Sequence, residues 1–337
     1  MITIHDNFSL RKYNTFQIDV NAAKFIEITK PEELQYFIIH NLNIDSSALV
    51  LGGGSNILFT KDYDGLVIKP SIEFVDVLNG QDDEVLIEAG AGVVWDDFVE
   101  YCVEHEYYGL ENLSLIPGTV GAAPVQNIGA YGAEAGDTIK SVKGFYLETG
   151  NEFELDHDEC GFGYRKSIFK TKLKGKTVIS SVVFRLSKKE KLNLDYGDIK
   201  NKLAEYGHTD IHSLRKAIVE IRKSKLPDPV ETGNAGSFFK NPEIEESHFN
   251  TLKEQYPGIP GYKLASGLFK VPAGWLIDKA GWKGKSMGRA GVNPRQALVL
   301  VNLGGAKGTD ILDLAAAIEQ DINEKFGIRL EKEVNII

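Results

Sequence analysis

The sequence predicts an α+β protein of more than one domain, in which short strands, amphipathic helices and two glycine-rich loops follow one another. At 337 residues the chain is longer than one ordinary hydrophobic core requires. Hydrophobic residues make up 42% and charged residues 26%, which is the range of a globular protein. Apolar residues alternate in some segments and recur with helical spacing in others, so both kinds of element are expected.

The strands are predicted from short runs of apolar and β-branched residues. Such runs lie at 48–52 (ALVLG), 65–70 (GLVIKP) and 84–90 (EVLIEAG). In the middle of the chain, VKGFYLETG and NEFELD are expected to pair around Thr149–Asn151, and 176–186 (KTVISSVVFRL) reads as a further strand.

Three segments have helical spacing. Residues 94–107 are expected to bury one face, formed by Val94, Phe98, Tyr101, Cys102 and His105. Residues 209–226 carry a stripe of Ile211, Leu214, Ile218 and Ile221, and the helix is expected to end before the two prolines of LPDPV, which mark a domain boundary. Residues 309–326 have Thr309 as a candidate N-cap and Gly327 at the end, with a stripe of Ile311, Leu314, Ala315, Ile318, Ile322 and Phe326.

The chain ends in IRLEKEVNII, which alternates as a strand does. The apolar residues Ile328, Leu330, Val334 and Ile336 are expected on one face, and Arg329, Glu331, Glu333 and Asn335 on the other. Spacing alone therefore leaves Glu331 and Glu333 equivalent.

Composition excludes several classes of protein. A net charge of −10 disfavours a nucleic-acid binder, and the absence of an apolar h-region or a long apolar run disfavours secretion and membrane insertion. Two separated cysteines and seven histidines without metal spacing favour a reducing cytoplasm and no metal site. One segment, 281–296, carries Lys283, Lys285, Arg289 and Arg295 without an acidic residue, which suits either a small anionic ligand or a solvated loop.

Two glycine-rich loops are candidate ligand sites. LGGGSNIL (51–58) is either a simple hairpin turn or a nest of backbone N–H groups that binds an anion, and the hairpin is the simpler reading. The loop at 115–137 has five glycines, two prolines and the amides of Gln126 and Asn127, so it could hold a flat ligand. Together the loops favour an organic cofactor with a diphosphate over a metal.

The blocks LGGGSN, IPGTVGAAPVQNIGAYG, CGFGYRKSIFK, KLPDP, GNAGSFFKNP, PAGWLIDKAGWKGK, QALVLVN and LEKEV occur here in one order. In that order they resemble the UDP-N-acetylenolpyruvoylglucosamine reductase (MurB) family from about Asn14 to the C-terminus. NLDYGDIK, which carries Tyr196, resembles the type I members.

The resemblance implies an FAD-binding domain of the vanillyl-alcohol-oxidase (PCMH) type in two α/β subdomains, followed by a MurB-type α/β substrate-binding domain. The expected borders are 1–70 for the first subdomain, completed by 327–337, then 71–226 and 227–326. It also implies non-covalent FAD, NADPH as co-substrate, UDP-N-acetylglucosamine enolpyruvate as acceptor, and a cytoplasmic monomer that binds neither nucleic acid nor membrane.

The same resemblance assigns the site residues. It implies Ser237 as proton donor, with Arg165 and Glu333 as its catalytic partners. The implied flavin positions are Gly52, Gly53, Gly54, Ser55, Asn56, Pro117, Gly118, Gln126, Asn127, Gly129 and Tyr131. Substrate binding is implied for Tyr196, Lys225, Asn241, Lys283 and Gln296.

Ordinary structural roles remain open for these residues on the sequence alone. Ser237 could lie in a tight turn that enters a half-buried strand, and Arg165 and Glu333 could be solvated. Lys225 could complement the dipole of a helix C-terminus. A related FAD-dependent oxidase and a non-catalytic nucleotide-binding protein are the alternative functions. The GNAGSFFKNP and LEKEV blocks, which belong to the substrate domain, disfavour the oxidase. The presence of Ser237, Arg165 and Glu333 together disfavours the non-catalytic protein.

Overall fold

The computed structural model describes residues 2–41, 48–78, 80–196 and 198–337. Its strands are, in chain order, β1 (Ile4–Ser9), β2 (Asn21–Ile28), β3 (Leu49–Val50), β4 (Ile57–Leu58), β5 (Tyr63–Pro70), β6 (Val75–Leu78), β7 (Glu84–Gly90), β8 (Gly129–Ala130), β9 (Ala133–Glu134), β10 (Ile139–Tyr146), β11 (Glu152–Asp156), β12 (Thr177–Ser187), β13 (Gly233–Ser237), β14 (Glu243–Ile244), β15 (Tyr262–Lys263), β16 (Phe269–Lys270), β17 (Ser286–Met287), β18 (Ala290–Val292), β19 (Val299–Asn302) and β20 (Asn335–Ile336).

The helices are α1 (Pro31–His40), α2 (Trp95–Glu104), α3 (His157–Cys160), α4 (Ile199–Ala204), α5 (Ile211–Lys225), α6 (Glu246–Gln255), α7 (Ala273–Lys279) and α8 (Gly308–Phe326). Among the residues described, none of these helices has the length and apolar character needed to span a membrane.

The chain divides into two compact units. The first unit comprises Met1–Phe8, Ala22–Gly53 and Asp64–Arg222, and the second comprises Ser9–Asn21, Gly54–Tyr63 and Lys223–Ile337. The three-part borders expected from the resemblance stay a prediction.

The first unit is built on a five-stranded sheet in the order β11-β10-β12-β7-β6. Its strands are antiparallel, and the expected hairpin of β10 and β11 is present, with Phe145 opposite Glu152. Helix α2 lies over this sheet and buries Trp95, Phe98 and Cys102 in the same core as β7 and β12. A second sheet, in the order β1-β2-β5-β3, has its own apolar core with α1.

The second unit contains the four-stranded sheet β13-β19-β18-β17, against which α8 packs. The stripe predicted for this helix is confirmed, since Ile311, Leu314, Ala315, Ile318, Ile322 and Phe326 are all buried. Gly327 ends the helix in the left-handed conformation, as expected for a C-cap glycine. The stripe predicted for α5, which belongs mostly to the first unit, is confirmed as well.

Two helix predictions need correction. Val94 and His105 flank α2 and are exposed, while the buried face includes Trp95, whose indole N–H donates to Leu113 O at 3.0 Å. Phe98 and Cys102 of the predicted face are buried, so the face is correct in its centre and wrong at its two ends. Thr309 is not the N-cap of α8, because the Asp310 carboxylate accepts the Lys307 N–H at 2.9 Å and the helix begins at Gly308.

The C-terminal strand is shorter than predicted. Only Asn335–Ile336 forms a ladder, parallel to Ile57–Leu58, and Lys332 makes one isolated bridge with Phe239. Ile328, Leu330 and Val334 are buried as expected, but Ile336 is exposed. The alternation is real, yet successive parts of the segment meet different partners, so no continuous strand forms.

Candidate active site

The first glycine loop is not a hairpin turn, because its flanking strands belong to different sheets. β3 pairs in parallel with β5, whereas β4 pairs in parallel with β20. A Cβ on Gly53 would lie 2.8 Å from the Gly118 Cα, so only glycine permits the close approach of the two glycine-rich loops. The half-buried N–H groups of Gly52 and Gly53 donate to no acceptor within the described part of the chain.

The second loop is held by a buried asparagine. The Asn127 Nδ2 donates to Glu134 Oε2 at 2.7 Å and to Gly163 O at 3.1 Å. Its Oδ1 accepts the Gly136 N–H at 2.7 Å, and the side chain is 2% exposed. The sequence predicts this amide in a loop that could hold a flat ligand, and in the structure its three hydrogen bonds tie that loop together.

Arg165 lies at the tip of a tight turn in which Gly163 and Lys166 exchange backbone hydrogen bonds. Its φ of 53° is left-handed, which is uncommon for a non-glycine residue. The guanidinium donates to Gly129 O at 2.7 Å and lies 3.9 Å from Glu134 Oε1. We call residues 115–137 with the turn 163–166 the loop region; it places a half-buried cation beside the second glycine loop.

Tyr131 is the centre of a group that sequence reasoning missed in part. Its ring meets Tyr196 edge to face, with centroids 6.0 Å apart, and its hydroxyl is hydrogen-bonded to Arg222. Burial lowers the pKa of that guanidinium, whose Nε has no partner in the described residues. Asn112 donates to Tyr131 O at 2.9 Å. Arg222 on α5 and Asn112 carry no motif, so periodicity could not single them out.

Ser237 ends β13, at a deformation of the strand. The register of β13 against β19 shifts between Asn234 and Ser237, which is a β-bulge. Gly236 has a φ of 67°, and its N–H donates to Asn234 Oδ1 at 2.9 Å. Asn234 is buried and was not predicted, although Asn two residues before Gly is a turn signal. The bulge therefore re-aims the chain just before the predicted proton donor.

Glu333 is fixed beside this strand through its backbone. Its N–H donates to Phe238 O at 2.8 Å, and its carbonyl accepts from Asn56 Nδ2 at 3.4 Å. Three predicted positions, Ser237, Glu333 and Asn56, are thus brought together. We call residues 233–239 with 331–335 the strand region.

The structure distinguishes the two carboxylates that sequence spacing left equivalent. Glu331 is exposed and forms an ion pair with Lys240 at 2.9 Å, whereas Glu333 is half-buried. Phe238 and Phe239 are fully buried, with ring centroids 5.1 Å apart, so they close the apolar side of the strand region as expected. The sequence left open a simple tight turn before Ser237, but the structure has a β-bulge within β13 there.

The predicted substrate residues of the second unit fall into separate places. Asn241 Oδ1 accepts the Ala273 N–H at 2.9 Å, and Gln296 Oε1 lies 3.0 Å from a Cβ built on Gly274, so both meet the start of α7. Lys283 forms an ion pair with Asp278 at 3.1 Å near the other end of that helix. Lys225 is the exposed last residue of α5. The basic segment is thus partly neutralised within the unit.

The remaining flavin positions show a pattern that fits an organic ligand. Gln126 and Ser55 are half-buried, Pro117 is exposed, and Gly54 lies too close to Tyr13 O, at 2.0 Å from a built Cβ, for any other residue. Half-buried N–H groups without acceptors at Gly52 and Gly53 suit a diphosphate. In the portion of the chain described, no cluster of histidine, cysteine and carboxylate side chains could hold a metal ion.

Comparison with known proteins gives consistent matches along the chain. Residues 22–156 match the family model of an FAD binding domain, and residues 228–337 match that of the C-terminal domain of UDP-N-acetylenolpyruvoylglucosamine reductase. A protein of that name from Bacteroides fragilis is 48% identical over 99% of this chain and 100% of its own length. Another, from Flavobacterium johnsoniae, is 45% identical over 99% of both.

A solved structure is similar in fold over the whole chain. The UDP-N-acetylenolpyruvylglucosamine reductase (MurB) of Thermus caldophilus covers 100% of this chain and 98% of its own, with a TM-score of 0.69 and 24% identity. The expected fold class, an FAD-binding domain followed by a MurB-type domain, is confirmed by these matches.

Proposed function

The chain belongs to the UDP-N-acetylenolpyruvoylglucosamine reductase family, and on that premise we propose the reaction and the roles of its residues. The protein is a flavin-dependent oxidoreductase that uses FAD and NADPH to reduce UDP-N-acetylglucosamine enolpyruvate to UDP-N-acetylmuramate in peptidoglycan synthesis. The full-length identity of 48% to a reductase of this name carries the conclusion. The oxidase alternative is disfavoured, because the match extends through the C-terminal reductase domain.

The two glycine-rich loops are proposed to hold FAD. The N–H groups of Gly52 and Gly53 would bind its diphosphate, and the loop region would hold its ring system, with Asn127 keeping that loop in shape. Bound there, FAD would supply the hydride chemistry that connects NADPH with the enolpyruvyl double bond.

Ser237 is proposed to supply the proton. Addition of hydride to one carbon of the double bond leaves negative charge on the other carbon, next to the substrate carboxylate. The Ser237 O–H gives its proton to that carbon, which completes the saturated lactyl ether. The bulge at Gly236 and the buried Phe238 support this role, since they fix the strand and exclude water on one side.

Arg165 and Glu333 are proposed to make that proton transfer feasible, because a serine hydroxyl is by itself a poor acid. The Arg165 guanidinium would pair with the substrate carboxylate and spread the developing charge. Glu333, held one residue from Ser237 through Phe238 O, would assist proton delivery. The nucleotide part of the substrate is assigned to Tyr196, Lys225, Asn241, Lys283 and Gln296.

An anaerobic titration of the FAD-loaded protein tests the proposal directly. One equivalent of NADPH is expected to bleach the flavin absorbance, and UDP-N-acetylglucosamine enolpyruvate is expected to restore it in the absence of oxygen. Bleaching that only oxygen reverses would favour the oxidase alternative. A monomeric, cytoplasmic enzyme completes the proposal; the two buried, unpaired cysteines support a reducing compartment.

A further inference from the structure

The buried side chain of Asn112 makes a pair of hydrogen bonds that link two separate segments of the first unit. Its Nδ2 donates to Tyr131 O at 2.9 Å and to Asn193 O at 2.9 Å. The Asn112 side chain is 2% exposed, whereas Tyr131 is half-buried and Asn193 is exposed, so the donor is fixed in the interior and its acceptors lie nearer the surface. One amide group therefore ties the second glycine loop to the segment that precedes Tyr196.

Two further contacts close the same junction. Asn193 Nδ2 donates to Gly132 O at 3.1 Å, and the rings of Tyr131 and Tyr196 lie edge to face at 6.0 Å. A Cβ on Gly132 would lie 3.2 Å from Asn193 Nδ2 and 3.7 Å from the Tyr196 Cβ, so the two segments are in close contact. Tyr196, although 55% exposed, is thereby attached to the turn at Tyr131–Gly132.

The Asn112 side chain is only half satisfied, which is unusual for a buried amide. Its Oδ1 is buried and has no hydrogen-bond partner among the residues described. Exchanging O and N would place an oxygen against two carbonyl oxygens, so the observed orientation is required. The unpartnered oxygen destabilises the fold, and the two hydrogen bonds to the carbonyl oxygens of Tyr131 and Asn193 explain why an amide lies at this position.

We propose that Asn112 is a positioning residue for the nucleotide-sugar site, acting through Asn193 to hold Tyr196 against the Tyr131 turn of the loop region. The inference rests on the proposed function in one respect, the assignment of Tyr196 to substrate binding. The structural part of the proposal, that Asn112 holds the 193–196 segment in place, does not depend on the proposed activity.

Asn112→Ala would remove both hydrogen bonds and free the segment. Two part-buried hydrogen bonds of about 0.5–1 kcal/mol each, the lower half of the usual range, correspond to roughly a 5- to 30-fold change in an equilibrium. We expect KM for UDP-N-acetylglucosamine enolpyruvate to rise by about that factor, with a smaller change in kcat. Asn112→Asp keeps the shape but presents oxygens to two carbonyls, so its effect should be at least as large.

The first measurement reports on the segment itself. Chymotrypsin cleavage after Leu194 or Tyr196 in the FAD-loaded protein, followed by mass spectrometry, should accelerate about 5- to 30-fold in Asn112→Ala. Asn193→Ala alters an exposed residue, is expected to fold, and should give a smaller acceleration of the same cleavage. Unchanged cleavage in both variants would overturn the proposal.

The second measurement is a double-mutant cycle with Tyr196→Ala. If Asn112 acts through Tyr196, then Asn112→Ala should raise KM less than 2-fold in the Tyr196→Ala background. Multiplying effects would mean that Asn112 does not act through Tyr196. Ser181→Ala is the matched control, because the buried Ser181 hydroxyl donates a part-buried hydrogen bond to Glu88, 2.6 Å long, elsewhere in the unit. Its loss should lower stability without changing KM.

The two measurements separate the failure of this inference from failure of the proposed function. A wild-type protein that does not turn over the nucleotide sugar would refute the proposed function, and the cleavage rates would still decide whether Asn112 holds the segment. Normal turnover of the wild-type protein, with KM effects of Asn112→Ala and Tyr196→Ala that multiply in the double variant, would leave the function intact and refute the inference.

Discussion

The loop region and the strand region hold their proposed catalytic residues in different ways. In the loop region, side chains do the holding: the Asn127 amide makes three hydrogen bonds, and Asn127, Tyr131 and Arg165 all have left-handed backbones. In the strand region, Ser237 and Glu333 are placed by backbone hydrogen bonds and a glycine bulge. Removing the Asn127 side chain should therefore disturb structure as well as activity, whereas removing the Ser237 hydroxyl should affect chemistry alone.

Ser237→Ala gives the largest expected effect and tests the second half of this comparison. Reoxidation of the reduced enzyme by the enolpyruvyl substrate should slow by roughly 10²- to 10⁴-fold, because the proton donor is gone. Reduction by NADPH should persist, and the free energy of unfolding should stay within about 0.5 kcal/mol, since the backbone still fixes the strand. Rapid mixing of each half-reaction gives the rates, and intact reoxidation would refute the proton-donor role.

Asn127→Ala is the counterpart in the loop region and should reduce stability as well as activity. Loss of three side-chain hydrogen bonds is expected to lower the free energy of unfolding by about 2–3 kcal/mol and to weaken FAD binding. Urea unfolding and flavin titration measure both quantities. Asn151→Ala, at an exposed asparagine between β10 and β11, is the control and should change neither. An Asn127→Ala protein as stable as wild type would contradict the view that this side chain holds the loop region together.

Gly53→Ala tests whether the two glycine-rich loops must touch. The new methyl carbon would lie 2.8 Å from the Gly118 Cα, and backbone cannot yield as a side-chain end can. We expect a loss of roughly 1–3 kcal/mol of stability and weaker FAD binding. Gly258→Ala, where no atom lies within 4 Å of the added Cβ, should behave as wild type in a thermal melt and a flavin titration. Equal behaviour of the two variants would contradict the proposed contact.

The smallest effect is expected at Glu111, a buried carboxylate beside Asn112. Its Oε2 accepts the Gly109 N–H at 2.6 Å, and burial raises its pKa. The folded protein therefore binds the proton more tightly than the unfolded chain, so this group favours folding at low pH and favours it less as pH rises above the unfolded value of about 4.3.

Glu111→Gln should remove that pH dependence. Because the amide keeps an acceptor for Gly109 and carries no buried charge, stability at pH 7 should rise by up to about 1 kcal/mol relative to wild type. Denaturant unfolding between pH 4 and 7 measures the difference. An unchanged slope would mean that the Glu111 charge is solvated in the folded protein.

Local patterns determined much of the secondary structure from the sequence alone. The stripes of α5 and α8, the Gly327 cap and the β10–β11 hairpin all depend on residues a few positions apart, and each is present. The motif blocks were enough to indicate the family and the fold class, because the residues of each block lie within one short segment. Short-range chemistry of this kind is written directly in the order of residues.

Only the tertiary structure decided how the distant segments support the site. Pairing of β4 with β20 excluded the hairpin at the first glycine loop. The ion pair with Lys240 distinguished Glu331 from Glu333, which the sequence had left equivalent. Asn112 and Asn127 are ordinary asparagines in the sequence, and their carbonyl partners are provided by chain folding. A buried amide is specified by whichever backbone groups packing leaves unsatisfied, and no local pattern records which groups those are.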